Sequence, residues 1–231
     1  MRKAILTIDD SPTSLTPSII AFLQKNNLKC IFFCTGTQLS RFPERADEIV
    51  QSGFTIGNHS FTHRAFSTLS FKECIEEISL TEAEIDKVYQ RNSIVRSSKY
   101  FRFPYGDKGD LLRTKIQEEL LRKSIQNLSG LNITYPWFWE NSFNSDFDTF
   151  WTFDTLDYKL SDGISDFTPQ EIIDHIEDNN SLVGGNLSVG NSDEIVLMHD
   201  NPNTNERFPK YYEILIQRIE EKGIRFIRRA S

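Results

Sequence analysis

Short apolar runs alternate along this chain with segments whose apolar residues return at helical spacing. The first run, Ala4 to Ile8, ends abruptly on Asp9-Asp10. Others follow at Lys29 to Cys34, Phe54 to Ile56, Tyr100 to Phe103, Phe150 to Phe153, Ile195 to Met198 and Ile224 to Ile227. Each reads as a strand, because runs this short are too brief for buried helices. Between them, Ser18 to Asn26 places Ile19, Ile20, Phe22 and Leu23 on one side of a helix, with Pro17 near its start, where a missing N–H costs little. Pro43 to Gln51 is a second helix, stopped at Gly53. Ser70 to Tyr89 is the clearest. Phe71, Cys74, Ile75, Ile78, Ile85 and Val88 recur at its period, and Ser70 with Glu73 forms a capping box. Asp110 to Ile125, Pro169 to Glu177 and Pro209 to Lys222 complete the set, the last ended by Gly223.

Strand followed by helix, repeated, predicts right-handed βαβ units around a parallel sheet: an α/β fold. A chain of 231 residues, 38% of them hydrophobic, suits one large domain with a substantial core. No internal repeat marks a second domain. Ser181 to Asp193, rich in Gly, Asn and Ser, reads as an exposed loop.

The net charge of −7 argues against nucleic acid, which is bound through basic phosphate contacts, and against an anionic membrane surface. Cys30, Cys34 and Cys74 cannot all pair within one chain, and Cys30 and Cys34 lie in or beside an apolar run. They read as buried structural thiols of a reducing compartment. Met1-Arg2-Lys3 precedes an apolar stretch too short for a secretory leader, and no run approaches a membrane span. A cytoplasmic protein with no integral membrane segment is expected; the oligomeric state is left open.

The candidate chemistry sits at the ends of the strand runs. Asp9 and Asp10 are adjacent carboxylates, costly together unless a cation or a shared proton relieves them; the plain alternative is a pair of solvated turn acids. His59 and His63 are four apart, a spacing that puts two imidazoles on one face of a helical turn; the alternative is two surface or capping histidines. Two histidines with one carboxylate leave open positions on a divalent ion, as in catalytic sites, and imidazoles favour zinc or another transition metal. Arg102 lies on an apolar strand and needs a partner if buried, unless it is simply an edge-strand residue. Asp154 and Asp157 flank Thr155-Leu156, and His199 closes the run Ile195-Val-Leu-Met, where it could also be a satisfied core residue. His175, in an acidic helix, reads as a surface residue.

Five segments in this order, Thr7-Ile-Asp-Asp10, His59-Ser-Phe-Thr-His63, Arg102-Phe-Pro-Tyr105, Asp154-Thr-Leu-Asp-Tyr158 and Leu197-Met-His199, resemble the polysaccharide deacetylase family, the NodB-type carbohydrate esterases of family 4. The resemblance implies a distorted (β/α)7 barrel forming a single catalytic domain over 1–231. It implies Asp9 as general base and Asp10, His59 and His63 as ligands of one divalent metal, zinc first, with cobalt or nickel as substitutes. Arg102 would orient Asp9, Tyr105 would contact the oxyanion through its backbone N–H, and Asp157 would tune His199 as general acid. Tyr158 stands where the family usually has Trp, so the wall beside the acetyl methyl gains a hydroxyl and a different shape.

The implied activity is metal-dependent hydrolysis of an N-acetyl group from an amino sugar or N-acetylated polysaccharide, with a carbohydrate as partner. Deformylation or deacetylation of a lipid- or nucleotide-linked amino sugar is the alternative within the same chemistry. A catalytically silent carbohydrate-binding protein and a purely structural Asp-His-His metal site are the rivals outside it. About fifty residues separate Tyr105 from Asp154, more than the family pattern leads one to expect. That aromatic insert, around 129–150, contains Trp137 and Trp139. It is expected to pack against the barrel, with a sugar-stacking platform as the alternative.

Overall fold

The computed structural model describes residues 2–161, 166–178, 187 and 190–228. Much of the loop expected over 181–193 lies outside them. Six parallel strands form the sheet: β1 (Arg2–Ser11), β2 (Cys30–Cys34), β3 (Thr55–Asn58), β4 (Phe153–Asp154), β5 (Glu194–His199) and β6 (Ile224–Phe226). The order is β3-β2-β1-β5-β4, and β6 pairs with the opening residues Arg2 to Ala4 of β1. Around them run α1 (Thr16–Lys25), α2 (Gly36–Arg41), α3 (Pro43–Gln51), α4 (Phe71–Arg91), α5 (Arg113–Arg122), α6 (Pro136–Glu140), α7 (Pro169–Glu177), α8 (Pro202–Arg207) and α9 (Tyr211–Glu221).

The run Tyr100 to Phe103 is not a full strand. Phe101 makes one isolated bridge to Asn58. Single backbone bonds carry the ring across this point: Asn58 N–H to Tyr100 O at 2.8 Å, Arg102 N–H to Asn58 O at 2.9 Å and Thr149 N–H to Phe101 O at 2.7 Å. The segment around Phe101 is thus the seventh stave, held by single bonds rather than a ladder, and the fold is a distorted (β/α)7 barrel. The apolar run Phe150 to Phe153 contributes only its last residue to β4, because Phe150 and Trp151 turn their rings to a neighbouring stack instead.

The barrel core joins Leu6, Ile8, Phe32, Ile56, Phe153 and Val196 to the inner faces of the helices. A second cluster lies under α4 and α5, where Phe66, Phe101 and Phe103 meet edge to face at 4.7 to 5.9 Å. Burying each such ring stabilises the fold by roughly 1.5–3 kcal/mol. Helix α4 starts with the expected capping box between Ser70 and Glu73. The pattern over Asp110 to Ile125 resolves into a short 3-10 turn at Asp110–Leu112 and then α5. All three cysteines are buried.

The insert runs along the side of the barrel. Phe138 is buried, and Tyr135, Trp137, Phe138, Phe143 and Phe150 form one continuous set of ring contacts that ends on Trp151. Lys108 pins the insert's end through Asp146 at 2.7 Å and Asp148 at 3.0 Å. Tyr135 donates to Glu194 at 2.6 Å, at the strand end opposite His199. No described helix is long and apolar enough to cross a membrane.

Candidate active site

The C-terminal ends of β1, β3 and β5, with the loops after Arg102 and β4, surround a cleft of ≈ 520 Å³. It is lined by Asp9, Asp10, His59, His63, Tyr105, Trp151, Asp154, Tyr158 and His199, among others. Of the candidate catalytic and metal-binding residues, Arg102 and Asp157 stand behind the lining. Both are buried and touch residues that line it.

Asp9 leaves β1 opposite His199 of β5, in direct register. Arg102, 1% exposed, donates from one terminal nitrogen to Asp9 Oδ1 at 2.8 Å and to Thr7 Oγ1 at 2.8 Å, and its Nε donates to Thr149 O at 3.0 Å. Its guanidinium lies 4.3 Å from the ring centre of Phe33 and 5.7 Å from that of Trp151. A buried cation is tolerable here because a carboxylate and two aromatic faces meet it. Its second terminal nitrogen has no hydrogen-bond partner among the described residues.

Asp10 has a positive φ of 64°, and its carboxylate reaches His63, while Asp9 Oδ2 lies 3.4 Å from His59 Nε2. His59 and His63 do not lie on a helical turn. They are joined by a loop in which Ser60 (φ 64°) and His63 (φ 60°) both adopt the left-handed region. Asn58 Oδ1 accepts from Ser60 N–H at 2.9 Å, a local turn that makes this conformation attainable. The outcome resembles the helical expectation: Nε2 of both rings face one point, 3.2 Å apart.

Nδ1 of His59 lies 2.8 Å from Arg102 O, so Nδ1 carries the proton and Nε2 keeps its lone pair. Asp10 Oδ1 is 3.3 Å from His63 Nε2 and 3.8 Å from His59 Nε2. The ligand atoms of all three lie within 4.8 Å of one another. Donors placed about 2.0–2.1 Å from a zinc in tetrahedral arrangement are about 3.3 Å apart, so the observed separations fit such an ion. Burial and the neighbouring His59 hold the His63 pKa below its usual value. Burial would raise that of Asp10, but His63, His199 and His59 together bring it below the usual carboxylate range. Neutral imidazole beside ionised carboxylate is the protonation state a metal needs.

On the far side of the cleft, Asp157 accepts from the His199 backbone N–H and from its Nδ1, both at 3.1 Å. Burial alone would lower this imidazole's pKa. Asp157, helped by Asp10 and Asp9, outweighs burial and carries it up to about 10. The cleft therefore holds a cationic imidazole at neutral pH. Tyr158 sets its ring edge-on to His199 at 5.1 Å, and Tyr105, 71% exposed, places its hydroxyl 3.2 Å from His63 Nδ1. Tyr105 also has a positive φ, of 59°, followed by Gly106 at 68°. A Cβ on Gly106 would meet the Trp151 ring at 2.8 Å, so only glycine lets this turn close against the cleft wall.

Several contributors were not visible beforehand. Trp151 lines the cleft, whereas Trp137 and Trp139 are not among its lining residues. Glu77 and Glu82 are buried acids on α4 that bind the residues around the histidine loop. The signal existed, because both lie on the same helical stripe as Cys74, Ile78 and Ile85. His175 is not a free surface residue. It stacks on Phe153 at 5.0 Å and its Nε2 meets Asp154 O at 2.9 Å. The carboxyl of Asp154, which faces the cleft, is pushed up by burial to about 6.

The family model described as polysaccharide deacetylase matches residues 1–122. The chain is 31% identical over 158 residues to chitin deacetylase 1 of Cryptococcus neoformans var. grubii, covering 68% of this chain and 29% of that one. It is 25% identical over 226 residues to a peptidoglycan-N-acetylglucosamine deacetylase of Bacillus cereus, covering 97% and 68%. Among solved structures, a family 4 carbohydrate esterase from Streptomyces lividans, in complex with acetate, superposes with a TM-score of 0.63 at 22% identity, over 97% of this chain and 91% of that one. A CE4 family pseudoenzyme from Bacillus anthracis gives 0.64 at 23%, over 97% and 62%.

Proposed function

The chain belongs to the polysaccharide deacetylase family, and from that premise we propose that it is a metal-dependent hydrolase removing N-acetyl groups from an amino sugar within a polysaccharide. The observation that carries the reading is one of opposition across a single cleft. A carboxylate held by Arg102 lies beside the Asp10, His59 and His63 cluster, and a cationic imidazole held by Asp157 faces it. An amide needs both a deprotonated nucleophile and a protonated leaving amine, and this cleft offers a separate group for each, Asp9 and His199.

Asp10, His59 and His63 would hold the ion, zinc in the first instance. When bound, a divalent cation there would polarise the acyl oxygen and acidify water. Asp9 takes the proton from the attacking water. Arg102 keeps that carboxylate aimed, its always-charged guanidinium meeting Asp9 at 2.8 Å. The Tyr105 backbone N–H meets the acyl oxygen as charge grows on it. His199 then gives its Nε2 proton to the departing amine nitrogen, and Asp157 balances the imidazolium before transfer. Tyr158 walls the acyl side of the cleft.

Acetate and free-amine release from a panel of N-acetylated oligosaccharides, with and without added zinc or cobalt, tests this reading. Turnover that needs metal and disappears in Asp9→Asn supports it. Release of formate alone, or activity only on a lipid- or nucleotide-linked sugar, would redirect the substrate. Tight sugar binding without release of either acid would make the protein a silent binder. His59→Ala and His63→Ala should lose the metal while remaining folded; loss of metal without loss of any activity would mark a structural site.

A further inference from the structure

The loop that carries both histidine ligands is gripped from two sides, and neither grip belongs to the reaction itself. On one side the first amides of α2 satisfy its carbonyls: Gly36 N–H donates to Ser60 O and Thr37 N–H to Phe61 O, both at 3.0 Å. On the other side one carboxylate takes its donors. Glu77 accepts from Phe61 N–H at 2.8 Å, Thr62 N–H at 2.7 Å and Thr62 Oγ1 at 2.6 Å. Glu77 is 8% exposed and sits on the inward stripe of α4. No cation lies within ion-pair distance of it among the described residues, so neutral donors alone satisfy it.

A buried carboxylate is costly and would be better replaced by an apolar side chain if helix packing were its only task. The loop it binds has strained ends. Ser60 and His63 both take positive φ, a conformation costing of order 1 kcal/mol or more for such residues, and it persists only where surroundings fix it. Residues 61 and 62 lie between those two strained positions. Charge-assisted bonds to their amides and hydroxyl are the strong kind, and they act on the segment that sets the distance between the two rings. Deeper on the same helix, Glu82 accepts from Asn58 Nδ2 at 3.0 Å, and Asn58 Oδ1 in turn holds Ser60 N–H.

We propose that Glu77 is a positioning residue for the metal site: it holds the 59–63 loop in the conformation that brings His63 Nε2 to His59 Nε2. The inference rests on the reading of Asp10, His59 and His63 as metal ligands. Orienting partners of ligating groups typically change metal affinity or activity by about 10–100-fold when removed.

Titration of the purified full chain with zinc or cobalt tests it, with Glu77→Gln as the variant. An amide removes the charge that strengthens the bonds to the two backbone N–H groups, and it forces the Thr62 hydroxyl to turn from donor to acceptor. The expected result is a 10–100-fold weaker cobalt affinity and an altered cobalt visible spectrum, with the far-ultraviolet circular dichroism of the folded protein retained. Glu73→Gln, which weakens the exposed cap of the same helix, should lower the melting temperature and leave cobalt affinity unchanged. Thr62→Val removes a single bond and should give a smaller loss of affinity; it also serves should Glu77→Gln not fold. Unchanged affinity and spectrum in folded Glu77→Gln, or in Thr62→Val when that is the variant read, overturn the inference while leaving the metal site standing. Failure of the wild-type chain to bind either ion overturns the metal reading itself.

Discussion

Nδ1 of His59 is hydrogen-bonded to the main-chain oxygen of Arg102, while the guanidinium of the same arginine holds Asp9, both at 2.8 Å. One residue thus orients a candidate ligand through its backbone and the proposed base through its side chain. The two roles separate by substitution, because a side-chain change leaves the carbonyl in place.

Arg102→Lys should therefore retain metal and lose turnover. Lysine offers a point charge that cannot reach Asp9, Thr7 and the Thr149 carbonyl in the geometry of a planar fork. A kcat decrease of roughly 10–100-fold, the scale seen when an orienting partner is removed, is expected with unchanged cobalt affinity. Arg102→Met leaves Asp9 buried and unpaired and should cost about 3–5 kcal/mol of unfolding free energy at neutral pH. Parallel metal titration, steady-state kinetics and urea unfolding read all three. Metal loss in Arg102→Lys would contradict the separation.

Asp9→Asn is expected to keep the metal and lower kcat by about 10²-fold or more, the usual scale for a positioned proton-transfer group. The substitution also leaves the buried Arg102 guanidinium beside a neutral amide, so the melting temperature should fall as well. Turnover within a few-fold of wild type would remove Asp9 from the mechanism.

The pH dependence follows from His199. Its pKa is raised to about 10, so the imidazole is protonated across the neutral range and able to donate. Activity that depends on this proton should hold as pH rises through neutrality and fall as pH passes about 10. Asp157→Asn removes the chief group raising the pKa, and the alkaline limb should move to lower pH. The linked stability runs the same way. It is fully present below the unfolded imidazole value near 6.5 and is lost as pH rises towards the folded value of about 10. An alkaline limb that stays in place in Asp157→Asn would assign the proton to another group.

For the insert, position separates stability from binding. Phe138, 3% exposed, should cost about 3–5 kcal/mol on truncation to Ala, with KM unchanged in the surviving folded fraction. Trp139, 54% exposed and away from the cleft lining, should change neither quantity much when replaced by Ala. Trp151→Ala should raise KM, since its ring forms part of the cleft wall. A selective rise in KM for long oligosaccharides in Trp139→Ala would restore the platform reading.

Much of the architecture was legible because burial writes itself into sequence. The runs ending on Asp9, Cys34 and His199 are largely buried strands, and α4 announces itself by its period and its Ser70 cap. The order of the five segments likewise brought ten named residues to one cleft or directly behind it, although the role of each rests on proposal. What stayed illegible is instructive. α2 and α8 are six residues each and largely polar, below the length at which a period can be counted. The segment Tyr100 to Phe103 is as apolar as a strand, but its rings pack into a side core and its backbone finds single partners. Glu77 and Glu82 share the inward stripe of α4, but their spacing alone names no partner until the backbone they bind is in view.

The seam at Phe101 has a consequence for what the barrel can tolerate. A ladder fixes register residue by residue, so inserting chain beside one forces slippage along its length. Here the stave meets Asn58 and Thr149 through isolated bonds, and Arg102 crosses to Asp9 by side chain. Only a few anchor points must be honoured, whatever the length of chain between them. The long aromatic excursion between Tyr105 and Asp154 enters the fold beside a junction held by isolated bonds, where extra residues need not shift a ladder.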